Sequence, residues 1–300
     1  MGEAPGQIDE QAAWHGVLAV RQRQRETPCA QGWALVPGSA GLDAVNRESP
    51  AARGALAEVD RLGAVELHGP VPEPAATLWR LYLPLVSQAS DMAVAHLGQS
   101  LDGKIATVNG ASHYVTGRED ILHNHRMRAL FDAVLVGAGT VAQDDPQLTV
   151  RHCVGENPAR VVVDIERRLA DTYKLFRDDA AHTILICAED RIRGRTRHGR
   201  AEVLGVPRCA DGLSPRSLRD ALAARGCRRL FIEGGGITVS RFLAAKCLDR
   251  LQVTVSPMII GSGRPAITLP EVASLADGLR PETRRFAFGE DVMFECRFDA

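Results

Sequence analysis

Three stretches of the sequence combine glycines with side chains that donate hydrogen bonds, accept them or carry charge. The first brings the Ser100 hydroxyl, the Asp102 carboxylate and the Lys104 ammonium within five residues. Gly98 and Gly103 lie beside them, and glycine lets a backbone approach a ligand closely. The chain has only three lysines among its 36 basic residues, so a compact ammonium at this turn indicates a site with steric demands.

A second stretch, residues 137–151, follows a predicted buried strand and reads Gly-Ala-Gly-Thr-Val-Ala-Gln-Asp-Asp-Pro-Gln-Leu-Thr-Val-Arg. In α/β folds, ligands bind where glycine-rich turns follow the carboxyl ends of parallel strands. Thr140 suits a helix cap or a phosphate contact, and Asp144 precedes a turn that Pro146 fixes. Its unusual spacing makes this the most specific of the local signals.

A third stretch joins a predicted strand to a predicted helix through Gly234, Gly235 and Gly236, directly after the acidic Glu233. Free N–H groups at the start of a helix bind anions without help from side chains. The stretch is neither a Walker loop nor a GxGxxG motif, so it predicts an anion site of another kind.

Weaker signals come from three other features. A polar loop offers the Ser112 hydroxyl to a phosphate and the Tyr114 ring for stacking. Residues 191–200 contain five arginines, which could bind a nucleotide phosphate or RNA, although a solvated surface segment is the favoured interpretation. His123 and His125 lie two apart on a predicted helix, so their rings point to different faces and no metal site is expected.

The elements that position these stretches alternate between strand and helix patterns after residue 90. Apolar, β-branched runs predict strands, and amphipathic runs predict helices. The predicted strands are 92–97, 133–137, 160–164, 183–187, 229–233, 250–260, 285–288 and 292–298, and the predicted helices are 119–130, 215–225 and 236–246. This repetition predicts an α/β domain over residues 91–300, with a mostly parallel sheet covered by helices on both faces.

Residues 1–90 contain no motif that carries chemistry and predict a small α+β module of unknown role. Closely spaced prolines at 70, 72 and 74 predict an extended linker, with the domain boundary between residues 84 and 90. The other predicted elements are a helix over 11–25, a strand over 32–36 and a helix over 49–62 that starts at Ser49 and Pro50.

Composition excludes several classes of protein. The net charge of −1 argues against nucleic-acid binding by bulk charge. There is neither an apolar run of about 18 residues, as a spanning helix needs, nor a signal peptide at the acidic N-terminus. Seven scattered cysteines without a CxxC pair predict no disulfide framework and no structural zinc site. We therefore expect a cytoplasmic protein with reduced thiols.

Taken together, Ser100-Leu-Asp-Gly-Lys-Ile-Ala, the run from Thr140 to Arg151 and Glu233-Gly-Gly resemble one family in order and spacing. It is the reductase domain of the bifunctional riboflavin-biosynthesis deaminase/reductases, and the resemblance covers residues 91–300. It implies a dihydrofolate-reductase-like fold, NADPH as cofactor and a homodimer. It also implies reduction of the ribosyl group of 5-amino-6-(5-phosphoribosylamino)uracil to ribityl.

The resemblance also implies roles for individual residues. The residues implied around the substrate are Ser112, Arg128, Leu148, Arg151 and Glu233. Those implied around the cofactor are Gly98, Tyr114, Thr140, Asp144, Gly235, Gly236, Ile237, Thr238, Val239, Ser240 and Arg241. Chemically, Arg128 and Arg151 suit a bidentate clamp on the ribose phosphate. Lys104 suits a pyrimidine carbonyl, Glu233 suits ring N–H groups, and either Asp144 or a water supplies the proton.

The chain departs from that family in its first 90 residues. The deaminase signatures His-x-Glu and Pro-Cys-x-x-Cys do not occur, so we expect no deamination. This leaves three alternatives: reduction of the diaminopyrimidinone before deamination, reduction of a pterin or other pyrimidine by the same fold, and a non-catalytic nucleotide-binding protein. The chain contains all the polar residues that the resemblance implies for the site, and this disfavours a non-catalytic protein.

Overall fold

The computed structural model describes residues 8–39, 41–88, 91–112, 115–210 and 212–298. The chain divides into two units, Met1–Ser90 and Asp91–Ala300. Within the described residues, no helix combines the length and the apolar character needed to cross a membrane.

The described part of the first unit contains two helices and an antiparallel sheet of four strands. The Asp9 carboxylate caps the first helix by accepting a hydrogen bond from the Ala12 N–H at 2.7 Å. The helices contact each other through Trp14, whose ring meets that of Tyr82 edge-on at 5.5 Å. The elements are α1 (Glu10–Glu26), β1 (Gly32–Gly38), β2 (Gly41–Asn46), β3 (Ala57–Asp60), β4 (Val65–Leu67) and α2 (Glu73–Val86), with sheet order β2-β1-β3-β4.

The helix predicted over residues 49–62 is wrong. Its start forms only a single 3-10 turn, Pro50–Ala52, and β3 follows. Gly54 adopts a positive φ of 81°, which breaks the helical path. Burial alternates along β3, and Val59 lies opposite Trp33 of β1, so packing against the sheet determines the conformation of this segment.

The extended linker predicted from the clustered prolines is also wrong from residue 73 onward, where α2 begins. Pro72 is the N-cap and Pro74 lies in the first turn. The amide N–H groups at these positions have no partner within a helix, so proline is tolerated there. Trp79, fully buried on α2, donates its indole N–H to the Ala13 carbonyl of α1 at 3.0 Å.

The second unit is built on a ten-stranded sheet within its described residues. Its helices are α3 (Arg118–Leu130), α4 (Ala138–Asp144), α5 (Lys174–Arg177), α6 (Pro215–Ala223) and α7 (Gly236–Ala244), with 3-10 turns at Glu189–Arg191 and Leu275–Asp277. Its strands are β5 (Met92–Ser100), β6 (Lys104–Thr107), β7 (Ala133–Gly137), β8 (Ala159–Val163), β9 (Thr183–Ala188), β10 (Arg197–His198), β11 (Ala201–Val206), β12 (Arg208–Cys209), β13 (Gly212–Leu213), β14 (Arg229–Glu233), β15 (Arg250–Ser256), β16 (Gly263–Pro265), β17 (Glu282–Phe288) and β18 (Asp291–Arg297).

The strands of the large sheet are ordered β10-β11-β9-β8-β7-β14-β5-β15-β18-β17. Neighbours from β11 to β15 in this order are parallel, whereas β10, β18 and β17 pair antiparallel. Short pairs β12-β13 and β16-β6 lie outside it. The predicted α/β class, with a mostly parallel and partly mixed sheet, is confirmed.

Central strands of this sheet are mostly apolar because they are buried on both faces. Leu135, Val161 and Ile232, on neighbouring strands, are fully buried and belong to one hydrophobic cluster. β14 lies between β5 and β7, although it follows both in the sequence. This crossover places the end of β14 between the glycine-containing ends of β5 and β7.

Candidate active site

A cleft of about 1210 Å³ opens at the carboxyl ends of four neighbouring strands. Gly98 of β5, Glu233 of β14, Gly137 of β7 and Asp164 just after β8 all line it. Neighbouring strands lie about 4.8 Å apart, so the first and last of these ends are separated by about 14 Å. This edge of the sheet is where α/β folds bind extended ligands.

Glycines shape one wall of the cleft. A side chain at any of three of these positions would approach neighbouring atoms too closely. A Cβ at Gly235, where φ is +72°, would lie 3.2 Å from the Thr140 hydroxyl, and one at Gly137 would lie 2.8 Å from the Thr238 hydroxyl. A Cβ on Gly236, the first residue of α7, would meet the Ala266 carbonyl oxygen at 2.6 Å. Backbone, two hydroxyls and a helix start therefore converge in a way that fits a nucleotide phosphate.

Most residues implied around a cofactor line the cleft. They are Gly98, Thr140, Asp144, Gly235, Gly236, Ile237, Thr238 and Arg241. Val239 and Ser240 instead face the protein interior: Val239 is fully buried, and the Ser240 hydroxyl accepts a hydrogen bond from the Thr268 N–H at 2.9 Å. Tyr114 lies outside the described residues.

Arg128 and Glu233 form a bidentate ion pair beside the cleft. The Nε and Nη2 groups of Arg128 donate to the two Glu233 carboxylate oxygens at 2.7 and 2.5 Å, and Nη1 donates to the Thr149 carbonyl at 2.9 Å. The pair is mostly buried, with side-chain exposures of 9% and 18%. Glu233 lines the cleft, so Arg128 positions this carboxylate and is not itself exposed as the phosphate clamp that the sequence suggested.

Arg151 lies close to this pair and is exposed. Its backbone N–H donates to His125 Nδ1 at 2.9 Å, and its guanidinium donates to the Thr149 hydroxyl at 2.6 Å. Partial burial and the neighbouring Arg128 charge lower the pKa of Arg151. A bound anion would relieve the repulsion between the guanidinium groups of Arg128 and Arg151. Leu148, three residues before Arg151, is buried and has a positive φ of 54°.

The Ser100–Lys104 turn is organised around Asp102. The Ser100 hydroxyl donates to Asp102 at 2.5 Å and accepts from the Lys104 N–H at 3.0 Å. Asp102 also accepts from the backbone of Ile260 and Gly261, and the Ser100 bond above all lowers its pKa to about 2. Lys104 is not among the residues that line the cleft, although the loop residue Ser112 is.

A second buried pair at the cleft floor was not found from the sequence. His96 Nε2 lies 3.0 Å from an Asp120 carboxylate oxygen, and both side chains are nearly inaccessible. Asp120 also accepts the Thr116 and Thr254 hydroxyls at 2.7 and 2.6 Å. Burial raises the pKa of Asp120, but His96 and the hydrogen bond from Thr254 outweigh that effect and hold the pKa below its usual range.

Helix α3 contributes a partner to each of three neighbouring strands. His96 of β5 lies opposite both Glu233 of β14 and Gln252 of β15 in the sheet register. Each meets one α3 side chain: Asp120 contacts His96, Arg128 binds Glu233, and His123 Nε2 lies 2.8 Å from the Gln252 amide oxygen. These three polar contacts hold α3 against the strand ends that line the cleft.

The weaker sequence features lie elsewhere. His123 and His125 reach different partners, Gln252 and the Arg151 backbone, as their spacing predicted. In the arginine-rich segment, Arg191 pairs with Glu166 at 2.6 Å, and the other four arginines are exposed.

The mostly parallel sheet with a ligand cleft at its carboxyl edge defines an α/β enzyme architecture. The chain belongs to the RibD C-terminal domain family, whose model matches residues 93–292. It is similar to the 2,5-diamino-6-ribosylamino-4(3H)-pyrimidinone 5′-phosphate reductase of Methanothermobacter thermautotrophicus, with 34% identity over 67% of this chain and 95% of that protein. This assignment confirms the family that the three sequence stretches indicated.

Two other relatives are matched over part of their length. The riboflavin biosynthesis protein RibD of Aquifex aeolicus is 29% identical over 75% of this chain and 63% of that protein. The solved deaminase/reductase of Thermotoga maritima has a TM-score of 0.59 and 26% identity, covering 75% of this chain and 61% of that one. The chain thus spans under two thirds of these two proteins but nearly all of the Methanothermobacter reductase.

Proposed function

We propose that the protein reduces the ribosylamino group of a phosphoribosylaminopyrimidine to a ribitylamino group, in riboflavin biosynthesis. The observation that carries the proposal is the similarity to the archaeal pyrimidinone phosphate reductase over 95% of its length. The substrate is either the 2,5-diaminopyrimidinone, as in the name of that relative, or 5-amino-6-(5-phosphoribosylamino)uracil.

NADPH is the proposed cofactor, and when bound it supplies the hydride. Thr140, Thr238 and the Gly235 backbone would hold its phosphates, since they converge at the start of α7. Three arginines, Arg168, Arg241 and Arg264, also line the cleft. Guanidinium forks bind phosphate oxygens bidentately, which favours the cofactor with the additional phosphate.

At the substrate end, Glu233 is the proposed acceptor for ring N–H groups. A carboxylate offers about four lone-pair sites, so its two bonds to Arg128 leave capacity for a ligand. Arg151 would bind the ribose phosphate, because it is exposed and, within the described ranges, has no ion-pair partner. Binding the far ends of the substrate orients the reacting carbon.

Reduction also takes up a proton, which Asp144 is proposed to supply from its carboxyl or from a water that it holds. Asp144 ends α4 and lines the cleft. Lys104 remains a proposed contact to a pyrimidine carbonyl. Substitution of Lys104 tests that contact. The homodimer, the cytoplasmic location and the division of roles between residues 1–90 and 91–300 stay predictions.

The decisive experiment follows NADPH oxidation by the purified protein with the uracil phosphate, the diaminopyrimidinone phosphate and a dihydropterin. We expect turnover with at least one phosphoribosylaminopyrimidine and none with the pterin. Turnover with the pterin alone would replace the proposal by the alternative substrate class. NADPH binding without turnover of any of the three would favour a non-catalytic nucleotide-binding protein.

A further inference from the structure

One face of α3 carries three polar side chains at successive helical turns. Asp120, Asn124 and Arg128 are spaced by four residues and therefore lie one above the other. Asp120 and Asn124 line the cleft, and Arg128 binds Glu233, which also lines it. Asn124 thus lies between the His96–Asp120 and Arg128–Glu233 pairs.

Asn124 differs from Asp120 and Arg128 because its amide oxygen accepts no hydrogen bond within the described residues. This atom, Oδ1, is buried. An acceptor that is removed from water without gaining a partner destabilises the folded chain. The Asn124 side chain as a whole lines the cleft, so rotation of its amide would let this acceptor reach a partner that a ligand brings.

The geometry points to Asn124 as a recognition residue for the pyrimidine ring, an inference that rests on the proposed function. A planar amide carries one acceptor beside a donor group. The 4-carbonyl and adjacent N3–H of a pyrimidinone present the complementary pair on one edge. Rotation about χ2, which is a broad torsion for asparagine, turns Oδ1 of Asn124 toward that edge.

This edge is common to the two candidate substrates, because both carry the 4-carbonyl and the N3–H. Asn124 therefore recognises the heterocycle without distinguishing the deaminated from the diamino form. The proposed tasks are then separate: Asn124 recognises the ring amide and Glu233 accepts ring N–H groups, and both line the cleft. Arg151, exposed beside the Arg128–Glu233 pair, binds the phosphate.

The test is Asn124→Leu, which preserves size and shape but removes both hydrogen-bonding atoms. Since Oδ1 has no partner without ligand, the substitution should leave Tm unchanged or raise it. Binding of the product 5-amino-6-ribitylaminouracil 5′-phosphate, measured calorimetrically without cofactor, should weaken at least tenfold. Ribitol 5-phosphate, which lacks the ring, should bind both proteins equally, and KM should rise more than kcat falls.

The matched control is Ile121→Ala, a change at a partly exposed position of the same helix, which should leave both affinities unchanged. Equal binding of the pyrimidine product by wild type and Asn124→Leu would overturn this inference alone. Equal weakening of both ligands would also overturn it, because it would indicate a general distortion. If the wild type bound no pyrimidine phosphate at all, the proposed function would fall together with this inference.

Discussion

Arg128 binds both carboxylate oxygens of Glu233 across 105 residues of sequence. Arg128→Lys keeps the positive charge but cannot donate two parallel N–H groups to the carboxylate. Because the pair is mostly buried, we expect a loss of about 3 kcal/mol in the free energy of unfolding. Urea denaturation measures it, with Arg118→Lys at an exposed position of the same helix as control. Equal stability of the two variants would contradict a structural role for the pair.

The same pair shows what the sequence could and could not predict. Residues 133–137 form an apolar run and residues 229–233 have an apolar centre, and local patterns located both as strands. Arg128 and Glu233 were also predicted as site residues. Their mutual pairing was not, since it depends on β14 crossing between β5 and β7, and local sequence carries no signal for that order.

The neutral state of His123 should make stability depend on pH. Burial, the largest cause, and the neighbouring His96, the second, lower the pKa of His123 to about 3. In the unfolded chain, a histidine has a pKa of about 6.5. Below pH 6.5 the unfolded chain binds a proton that the folded chain excludes. His123 therefore contributes stability that is present above pH 6.5 and is lost toward pH 3, at up to about 1.4 kcal/mol per pH unit.

Urea unfolding of wild type and His123→Gln between pH 4 and 7 checks this expectation. The variant should be less stable at pH 7, but its stability should fall less steeply with decreasing pH. His15→Gln, at an exposed position of α1, should retain the wild-type slope. Identical slopes for wild type and His123→Gln would refute the linkage.

The glycine wall gives a prediction with a matched pair of variants. Gly235 and Gly226 have positive φ angles of 72° and 80°, so alanine at either should cost about 1–2 kcal/mol in stability. Only at Gly235 does the new Cβ approach a cleft hydroxyl, that of Thr140, while the Cβ at Gly226 meets nothing within 4 Å. Fluorescence titration should show weaker NADPH binding for Gly235→Ala alone. Equal affinities would place the cofactor elsewhere.

Local patterns were least informative where packing overrides them. Ser49 and Pro50 are typical of a helix start, but they begin only a 3-10 turn, and Val59 lies in a strand that pairs with Trp33. The His96–Asp120 pair was missed for a related reason. Neither residue belongs to a motif, and only the register of β5 beneath α3 brings them within 3.0 Å.

Arg151 tests the phosphate end of the proposed site. Its guanidinium is exposed beside Arg128, and that neighbouring charge, together with partial burial, lowers the pKa of Arg151. The dianionic phosphate of the substrate should therefore bind favourably beside these two guanidinium groups. Arg151→Ala should raise KM for the phosphorylated substrate by about 10- to 100-fold, equivalent to about 1.5–3 kcal/mol of charged hydrogen bonding.

The dephosphorylated substrate separates this role from a general loss of structure. Its KM should be the same for wild type and Arg151→Ala, because the lost contact is to the phosphate alone. Arg118→Ala should behave as wild type with both substrates, since Arg118 lies exposed in the first turn of α3. A parallel increase in KM for both substrates would assign Arg151 to the conformation of the loop that follows α4, where its backbone N–H binds His125.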